Sequence, residues 1–469
     1  MSINKDILKL AIPSILANIT VPIVGMVDIA VAGHLTGEVA TMIGGIAIGT
    51  MLFDLLYWNF GFLRVGTGGL TAQAYGRKDM HECAKILTRA IGVSLAFALA
   101  LIAIQWIFVK AAFMVVDCTP QVQELASKYF FIRIWAAPAT LSLMAFKGWF
   151  IGMQDSVSTM VIDFVVNGMN VLMSIVLALG IPMSGGDGNS WILSPMGFSG
   201  IAAGTVVAQY SGLLTALVLL LSKYARRVFA GFRYSDFKTV FTGSETRRFF
   251  VMNTDLFVRS LCFIAIYIGF TTISAGFGDL LLAVSSIMMK LLMIFSYFTD
   301  GFAYAGEAMT GKYIGAKNSP MVRKTVIWTF VWSMGIALIF MGIYHFAGVP
   351  MLRIMTSDAS VIEQSREYLP WLLLMPVIGC AAFTWDGIYI GATASKEIRN
   401  AMLWAVVAFA GVWVAGRLGL DWLGAADVQQ GTHRYFIISM HILMAAYFAH
   451  LLARTIYLSA KYKKVFQDN

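Results

Sequence analysis

The sequence predicts an all-α integral membrane protein with twelve transmembrane helices in two six-helix lobes related by a pseudo-two-fold axis along the membrane normal. The first supporting observation is composition: of 469 residues, 59% are hydrophobic and only 13% are charged, about half the charged fraction of a soluble domain. The second is that the apolar residues occur in blocks of about twenty or more, long enough to cross about 30 Å of hydrocarbon as helices. The third is an internal repeat that divides the chain into halves.

The apolar blocks define the predicted spans. The N-terminal block lacks the short apolar segment and small-residue cleavage site of a signal peptide, so a retained first span is expected from Ile7 onward. The predicted spans are residues 7–33, 38–74, 84–115, 123–152, 157–182, 198–222, 247–275, 279–312, 321–346, 360–391, 398–420 and 434–460.

The net charge of +9 is concentrated in every second connection between spans. Basic connections include RKDMHECAK, KYIGAKNSPMVRK and SKEIR, whereas HLTGE, GGDGNS and TSDAS on the other side are neutral or acidic. Because cytoplasmic loops carry the excess of Lys and Arg, this alternation predicts that both termini are cytoplasmic. The basic balance therefore reflects topology in a lipid bilayer, and no nucleic-acid partner is expected.

The motifs of several enzyme and cofactor classes are missing from the sequence. The four cysteines have no CxxC spacing and the six histidines have no HExxH spacing, so neither a metal nor a disulfide framework is indicated. No GxxxxGK[ST] segment is present, which excludes a Walker-type ATP site in this chain. The sequence thus predicts a protein that is not an enzyme and that has no organic cofactor.

The two halves of the chain match at a constant offset of 239 residues. The matching segments are YGRKD (75–79) with IGAKN (314–318), QVQELASKY (121–129) with SVIEQSREY (360–368), and FKGWFIG (146–152) with WDGIYIG (385–391). Six spans in each half, an even number, give both copies the same orientation in the membrane. Parallel repeats of this kind are typical of secondary transporters, which favours a transporter over a channel.

The repeat also sets the predicted domain boundaries. We expect an N-lobe at residues 1–222, a cytoplasmic linker at 223–246 and a C-lobe at 247–469.

Asp28 is the single acid in the apolar run that begins at Ile7, about five residues from its outer end. A charged side chain inside a bilayer costs about 2.5 kcal/mol or more, so it is treated as a candidate functional group. Pro13 and Pro22 precede it on the same span, and proline weakens a helix by removing a backbone hydrogen bond. A titratable group on a bendable helix suits a proton-driven switch, although a structural carboxylate bonded to a neighbouring helix fits the pattern as well.

Neutral polar residues on the fifth and sixth spans are candidates to complete a site around Asp28. Asn167, Asn170 and Ser174 lie in NGMNVLMS, and the last two share one helix face at a spacing of four residues. Thr205 in GIAAGTVVAQY is the candidate from the sixth span. Simple hydrogen bonding between helices explains these residues equally well.

Further charged residues form a candidate secondary network in the seventh and eighth spans. Asp255 and Arg259 are four residues apart, which favours a static ion pair within or between helices. Lys290, Asp300 and Glu307 lie on the eighth span, with Glu307 near its inner end and a candidate for an interfacial position.

Lys147 and Asp386 occupy equivalent positions of the two repeats. A pair between them is an attractive hypothesis, because it would form in one state of a transporter and break in the other. The assignments of Asp54, Arg64 and Asp163 are ambiguous from the sequence.

Five longer stretches resemble a known family, and the resemblance extends over nearly the whole chain, from about Leu8 to the last spans. They are IPSILANITVPIVGMVDIAVAGHL, LRVGTGGLTAQAYGRKD, NTDLFVRSLC, DGFAYAGEAMTGKYIGAKN and WDGIYIGATASKEIRNAM. The sequence resembles the multidrug and toxic compound extrusion (MATE) family and is most similar to its DinF-like branch. This resemblance implies two six-helix lobes around a central cavity, and export of organic, often cationic or amphipathic compounds in exchange for protons or sodium ions.

The resemblance also suggests which residues couple the cation. Asp28 matches the first-helix Asp of the branch, Asn170 matches the Asn of the fifth-helix pattern Asn-x-x-x-Asp, and Thr205 matches a sixth-helix threonine. Ser174 stands where that pattern has its Asp, so the N-lobe site has at most one formal negative charge. A site with fewer anionic ligands should bind sodium less well. The sequence therefore favours proton coupling through Asp28, with a sodium ion at Asp28 as the alternative.

Two rival functions remain open at this point. A flippase of a lipid-linked substrate would use the same scaffold but would need a lateral opening with a basic groove. A membrane-embedded enzyme would need a nucleophile–base or metal motif. The resemblance and the charge pattern together imply a bacterial inner membrane. We expect the protein to act as a monomer and to transport small organic substrates.

Overall fold

A computed structural model of the chain describes residues 3–35, 38–114, 116, 118–182, 191–229, 236, 239–423 and 433–467. In the first half the helices are α1 (Ile3–Gly33), α2 (Val39–Trp58), α3 (Gly61–Gly76), α4 (Met80–Ala112), α5 (Pro120–Arg133), α6 (Ala137–Gly152), α7 (Ser156–Leu179), α8 (Phe198–Lys223) and the short α9 (Ala225–Val228). In the second half they are α10 (Ser244–Ala275), α11 (Asp279–Gly315), α12 (Ser319–Met355), α13 (Ala359–Gly391), α14 (Ser395–Leu423) and α15 (His433–Gln467). A small antiparallel pair of strands, β1 (Ile181–Pro182) and β2 (Trp191–Leu193), follows α7.

The described residues contain 12 helical segments long and apolar enough to cross a membrane, which confirms the predicted fold class. Two predicted spans each consist of two helices: α2 and α3 meet at Asn59 and Phe60, and a short 3₁₀ turn at Ile134–Ala136 joins α5 to α6. The ninth segment is longer than predicted, because α12 continues through Pro350 to Met355.

The described part of the chain divides into two compact units. One unit comprises Leu16–Phe249, and we call it the N-unit; the other comprises the chain up to Ile15 together with Phe250–Asn469, and we call it the C-unit. The first turns of α1 therefore belong to the C-unit, whereas the predicted N-lobe included all of α1. Residues 230–235, 237 and 238 of the predicted linker lie outside the described residues.

Each unit has its own apolar core. In the C-unit the core includes Phe270, Phe295, Tyr344, Tyr368 and Met440, all at most 1% exposed. In the N-unit the fully buried aromatic side chains include Phe53, Tyr129, Phe130, Trp149 and Phe150.

The 239-residue repeat recurs in the backbone geometry of the two halves. Lys78 and Lys317 have φ angles of 62° and 53°, and Gln154 and Thr393 have φ angles of 65° and 54°. Each pair is related by the offset of 239, and these are the non-glycine residues with positive φ in the described part of the chain. Residues other than glycine rarely adopt a positive φ. Its recurrence at equivalent positions shows that these helix ends have the same backbone conformation in both halves.

Two equivalent glycines allow helices to approach closely in each half. A Cβ on Gly148 of α6 would lie 2.1 Å from the carbonyl oxygen of Arg64, and a Cβ on Gly387 of α13 would lie 2.1 Å from that of Ala303. Small residues at such contacts let the backbones of membrane helices pack against one another. The repeat therefore preserves the contact between the third and sixth helices of the first half in the second half.

Candidate functional site

Asp28 is buried near the C-terminal end of α1. Its side chain is 6% exposed, although the neighbouring Met26 and Ile29 are 68% and 43% exposed. The Ser174 hydroxyl of α7 donates a hydrogen bond to Asp28 Oδ1 at 3.0 Å. No Lys, Arg or His nitrogen of the described residues lies within 4.0 Å of its carboxylate, so Asp28 is not part of a close ion pair.

The other neutral residues predicted for the site lie on α7 and α8. Asn170 of α7 is 4% exposed and donates to the Thr205 hydroxyl of α8 at 3.0 Å. The amide oxygen of Asn170 is buried without a hydrogen-bond partner in the described structure. Asn167, one turn earlier on α7, donates from its side chain to the Thr20 hydroxyl of α1. The structure thus connects α7 to α1 at two levels and to α8 at one.

Glycines on α8 explain why this part of α7 is so near to α8. A Cβ on Gly204 would lie 2.6 Å from the backbone nitrogen of Ser174, and one on Gly200 would lie 2.5 Å from that of Ala178. The spacing Gly-x-x-x-Gly puts both glycines on one helix face. Thr205 follows Gly204 directly, so the close approach brings its hydroxyl within reach of Asn170.

The site contains one carboxylate and several neutral oxygens. Ser174, Asn170 and Thr205 can each offer an oxygen, and oxygen ligands are those that hard cations prefer. The described residues contain no group of three or more His, Cys, Asp or Glu side chains that could hold a metal ion. The arrangement can hold one proton on Asp28, or one small monovalent cation among its oxygens.

The second half has no polar site at the equivalent positions, 239 residues further along the chain. Apolar and aromatic residues stand there instead. Asp28, Asn170, Ser174 and Thr205 correspond to Tyr267, Phe409, Trp413 and Met444. All four of these residues belong to, or pack against, the apolar core of the C-unit. The candidate site is therefore a feature of the N-unit alone.

The charges predicted for the secondary network form ion pairs between helices. Asp255 of α10 binds Arg399 of α14, with Arg399 Nη1 2.6 Å from Asp255 Oδ1, and accepts a hydrogen bond from the Ser395 hydroxyl at 2.8 Å. Arg259 does not pair with Asp255 within α10; its Nη2 lies 2.8 Å from Asp386 Oδ2 on α13. Each member of the Asp-x-x-x-Arg sequence is thus neutralised by another helix of the C-unit.

Asp386 has a second cationic partner, Arg454 of α15, which is 2% exposed. Lys147 of α6 is paired with Asp163 of α7 in the N-unit. The structure therefore gives Lys147 and Asp386 partners within their own units, and the pair between them stays a prediction.

The three charged residues of α11 that the sequence analysis singled out differ in exposure. Lys290 is exposed and Asp300 is half-buried. Glu307 is fully buried within the C-unit, at 0% exposed, and its interfacial position stays a prediction.

Sequence reasoning missed the cations that act on these acids. Arg399 lies in the basic connection SKEIR, and Arg133 and Arg454 lie within apolar spans, so their positions in the sequence do not pair them with these acids. Arg133, at the C-terminal end of α5, is the cation whose charge acts on both Asp28 and Asp54. The rule that identified Asp28, a charge inside an apolar span, would have identified Arg133 and Arg454 as well.

Comparisons with known proteins agree with the predicted family. The family model described as MatE matches residues 13–176 and 256–414. The DNA damage-inducible protein F of Escherichia coli (strain K12) is 32% identical over 425 residues, covering 90% of this chain and 87% of that protein. A probable multidrug resistance protein NorM of Bacillus cereus is 20% identical over 463 residues, covering 98% of this chain and 96% of that protein.

Solved structures agree at the level of the fold. A multidrug resistance MATE family transporter of the MOP superfamily in an outward-facing conformation has a TM-score of 0.80 at 14% identity and covers 99% of this chain. It is matched over 97% of its own length. The eukaryotic MATE transporter AtDTX14 has a TM-score of 0.78 at 14% identity, with 99% and 98% of the two chains covered.

The family model covers well over half of the chain, and the fold has the helical order of solved MATE structures. The chain is therefore a transporter and not an enzyme, and it belongs to the MATE family of multidrug and toxic compound extrusion transporters, with DinF of Escherichia coli among its relatives.

Proposed function

We propose that this transporter exports organic, often cationic or amphipathic compounds in exchange for protons, and that Asp28 carries the proton. The observation that supports this best is the burial of Asp28 with one neutral donor, Ser174, and no cation within ion-pair distance in the described structure. A carboxylate in such a place loses water without gaining a close counter-charge, which makes proton binding a strong perturbation of its surroundings.

The proposed cycle uses the hydrogen bonds of the site. While Asp28 is ionised, it accepts the hydrogen bond from Ser174 and holds α1 against α7. A proton arriving on the free carboxyl oxygen removes the negative charge and weakens that bond, because hydrogen bonds to ionised acceptors are about twice as strong as neutral ones. The segment of α1 beyond Pro22 can then change its position relative to α7. The proton drives transport only if the two conformations bind it unequally.

The first test is transport by purified protein in liposomes. A fluorescent organic cation is followed under an imposed pH gradient and, separately, under an imposed sodium gradient, for the unaltered protein and for Asp28→Asn. We expect the pH gradient alone to drive transport, and Asp28→Asn to reduce it to the rate of empty liposomes while the melting temperature is retained. Tyr267→Phe is the matched control, because Tyr267 lies at the position equivalent to Asp28 in the second half.

Two outcomes would contradict the proposal. Normal transport by a folded Asp28→Asn protein would make the carboxylate structural. Transport that follows the sodium gradient and ignores the pH gradient would replace the proton with sodium. Sodium is the second candidate because the buried amide oxygen of Asn170 has no partner in the described structure and is a suitable ligand beside Asp28.

We propose a bacterial inner membrane as the location, with both termini cytoplasmic and the chain acting as a monomer. The support is the alternation of basic and neutral connections and the relationship to a bacterial protein, DinF. Protease accessibility of tags at each terminus in inside-out and right-side-out vesicles tests the orientation.

A further inference from the structure

Two arginines of the C-unit share one carboxylate. Arg259 Nη2 of α10 lies 2.8 Å from Asp386 Oδ2 of α13, and Arg454 of α15 donates a hydrogen bond from its own Nη2 to the same oxygen. All three residues lie within helices long and apolar enough to cross a membrane. Among the described residues, no other Asp or Glu oxygen lies within 4.0 Å of either guanidinium. The triad of Arg259, Asp386 and Arg454 therefore has one more positive charge than negative charges.

The neighbouring ion pair does not remove this surplus. Asp255 lies four residues before Arg259 and on the same face of α10, but its carboxylate is bound by Arg399 of α14 at 2.6 Å. Glu397, in the first turn of α14, is partly exposed and accepts a hydrogen bond from the Tyr457 hydroxyl at 2.8 Å. The triad and the neighbouring pair together contain three guanidiniums and two carboxylates. One positive charge thus remains in the interior of the C-unit.

Several nitrogens of the triad also lack a hydrogen-bond acceptor. Arg454 is 2% exposed, and its guanidinium carbon lies 5.8 Å from the centre of the Phe383 ring, which attracts a cation without neutralising it. Arg454 Nε and Nη1 are buried and make no hydrogen bond with the described residues, and the same is true of Arg259 Nε. Buried polar groups in proteins almost always have a partner, so these three nitrogens indicate a ligand that accepts hydrogen bonds.

A small anion satisfies both the surplus charge and the unpaired donors. A buried charge without a counter-charge has a large desolvation cost, which a nearby opposite charge reduces. An anion would also accept hydrogen bonds from the guanidinium nitrogens, and bonds between ionised groups are the strongest. Water would satisfy the donors but would leave the charge. The side chain of Arg259 is 25% exposed and Arg454 is 2% exposed, so the approach is narrow and favours a small ion over an organic compound.

We propose that the triad is a binding site for one small monovalent anion, of which chloride is the example, and that the bound anion holds α10, α13 and α15 together. Asp386 brings the two arginines to one oxygen, and the anion neutralises the charge that this carboxylate leaves. The first half has no equivalent of the triad, because Thr20 and Thr215 stand at the positions equivalent to Arg259 and Arg454. The inference goes beyond the proposed function, since it involves neither the proton nor the transported compound.

The test measures chloride binding by the purified full-length protein. Binding of radiolabelled chloride is followed by equilibrium dialysis, and the melting temperature is measured in detergent while potassium chloride replaces potassium gluconate at constant ionic strength. We expect one chloride per chain and a saturable rise of the melting temperature by about 3 °C or more, because a ligand that binds only the folded protein stabilises it. Gluconate is too large for the site, and potassium salts avoid any effect of sodium.

Two substitutions remove the surplus charge from different helices. Arg454→Gln leaves the pair of Arg259 with Asp386, and Arg259→Gln leaves the pair of Arg454 with Asp386, so each variant is balanced without an anion. In both we expect chloride affinity to fall about tenfold or more and the melting temperature to become independent of chloride. Arg353→Gln is the matched control, because it removes the same charge from an exposed position in the last turn of α12. It should bind chloride as the unaltered protein does.

Three results would overturn the inference. The first is no binding of radiolabelled chloride together with equal melting temperatures in chloride and gluconate. The second is chloride binding that Arg454→Gln and Arg259→Gln both retain, which would place the anion elsewhere. The third is an equal loss of binding in Arg353→Gln, which would indicate a general effect of net charge. If one of the two triad variants does not fold, the other decides the comparison.

Discussion

Individual carboxylates of the N-unit differ in how many partners hold them. Among the residues that the structure describes, Ser174 alone donates a hydrogen bond to Asp28. Asp155, in the short connection before α7, accepts hydrogen bonds from the Ser158 backbone and hydroxyl, from the Tyr224 hydroxyl and from Lys223. Hydrogen bonds from four donors favour the ionised form of a carboxylate more than one neutral donor does, and the proposed role of Asp28 depends on this difference.

The Asp155 site provides a prediction about stability. Burial raises the pKa of the Asp155 carboxyl, but the hydrogen bonds from Ser158, Tyr224 and Lys223 outweigh burial and lower its pKa below the ordinary value of 3.8. Asp155→Ala removes the N-cap of α7 together with the tie to the end of α8, and we expect a loss of about 1–2 kcal/mol at pH 7. Asp155→Asn retains a capping oxygen and should lose less.

The pH dependence of this effect follows from the lowered pKa. A group whose pKa is lower in the folded protein stabilises it above the pKa of the unfolded chain, about 3.9 for Asp, and loses that contribution as the pH falls through the folded value. Melting temperatures in detergent should therefore differ between the unaltered protein and Asp155→Asn by a constant amount from pH 7 to about 5, and the difference should shrink below about pH 4. A difference that grows towards acid pH would contradict the assignment.

At the scale of helices, the contact between α7 and α8 depends on the absence of side chains. Gly200 and Gly204 face the backbone of α7 at Ala178 and Ser174. We expect Gly204→Ala to force the two helices apart at the level of the site, costing about 1–3 kcal/mol by overpacking and reducing transport as well. The distance from Asn170 to Thr205, now 3.0 Å, should lengthen.

The matched control for this element is Gly168→Ala on α7, where a Cβ meets nothing within 4 Å. It should preserve transport and slightly raise or leave unchanged the melting temperature, because alanine favours a helix over glycine. Equal melting temperatures and equal transport rates for the two variants would refute the close contact. Both quantities are measured on the same purified proteins, in detergent and in liposomes.

The helices of this protein were largely predictable, because a membrane helix needs about twenty apolar residues and the sequence shows each of them. Span ends were less predictable: α12 continues past residue 346 to Met355 because hydropathy marks the hydrocarbon region and not the end of the helix. No proline and no pair of adjacent glycines marks the division of the second span at Asn59 and Phe60, so the sequence does not predict it.

The sequence predicted which residues belong to the candidate site, but not the partners of the charged residues elsewhere. The residue types and spacing of Asn170 and Ser174 placed them on one face, and the structure puts Ser174 on Asp28 and Asn170 on Thr205. The partners of Asp255 and Asp386 come from helices far along the chain, and sequence spacing contains no information about such contacts. The spacing of Asp255 and Arg259 favours a pair between them. In the structure Asp255 pairs with Arg399, and Arg259 pairs with Asp386.

At the scale of the whole molecule, the helical scaffold is repeated in the two halves, but the polar site around Asp28 is present only in the first half. The positive-φ residues and the glycine contacts at Gly148 and Gly387 recur at the offset of 239, while the second half has Tyr267 and Trp413 where the first has Asp28 and Ser174. Stability should therefore depend on both halves alike, and coupling should depend on the first.

Gly148→Ala and Gly387→Ala test this separation. Each new Cβ would lie 2.1 Å from a backbone carbonyl oxygen that cannot rotate away, so each should lower stability by about 1–3 kcal/mol or more, measured as a similar fall in melting temperature. Gly25→Ala and Gly335→Ala, one in each unit with nothing within 4 Å of the new Cβ, are the controls. If only one of the two substitutions destabilises the protein, the two helix contacts do not contribute equally to stability, although their backbone geometry is alike.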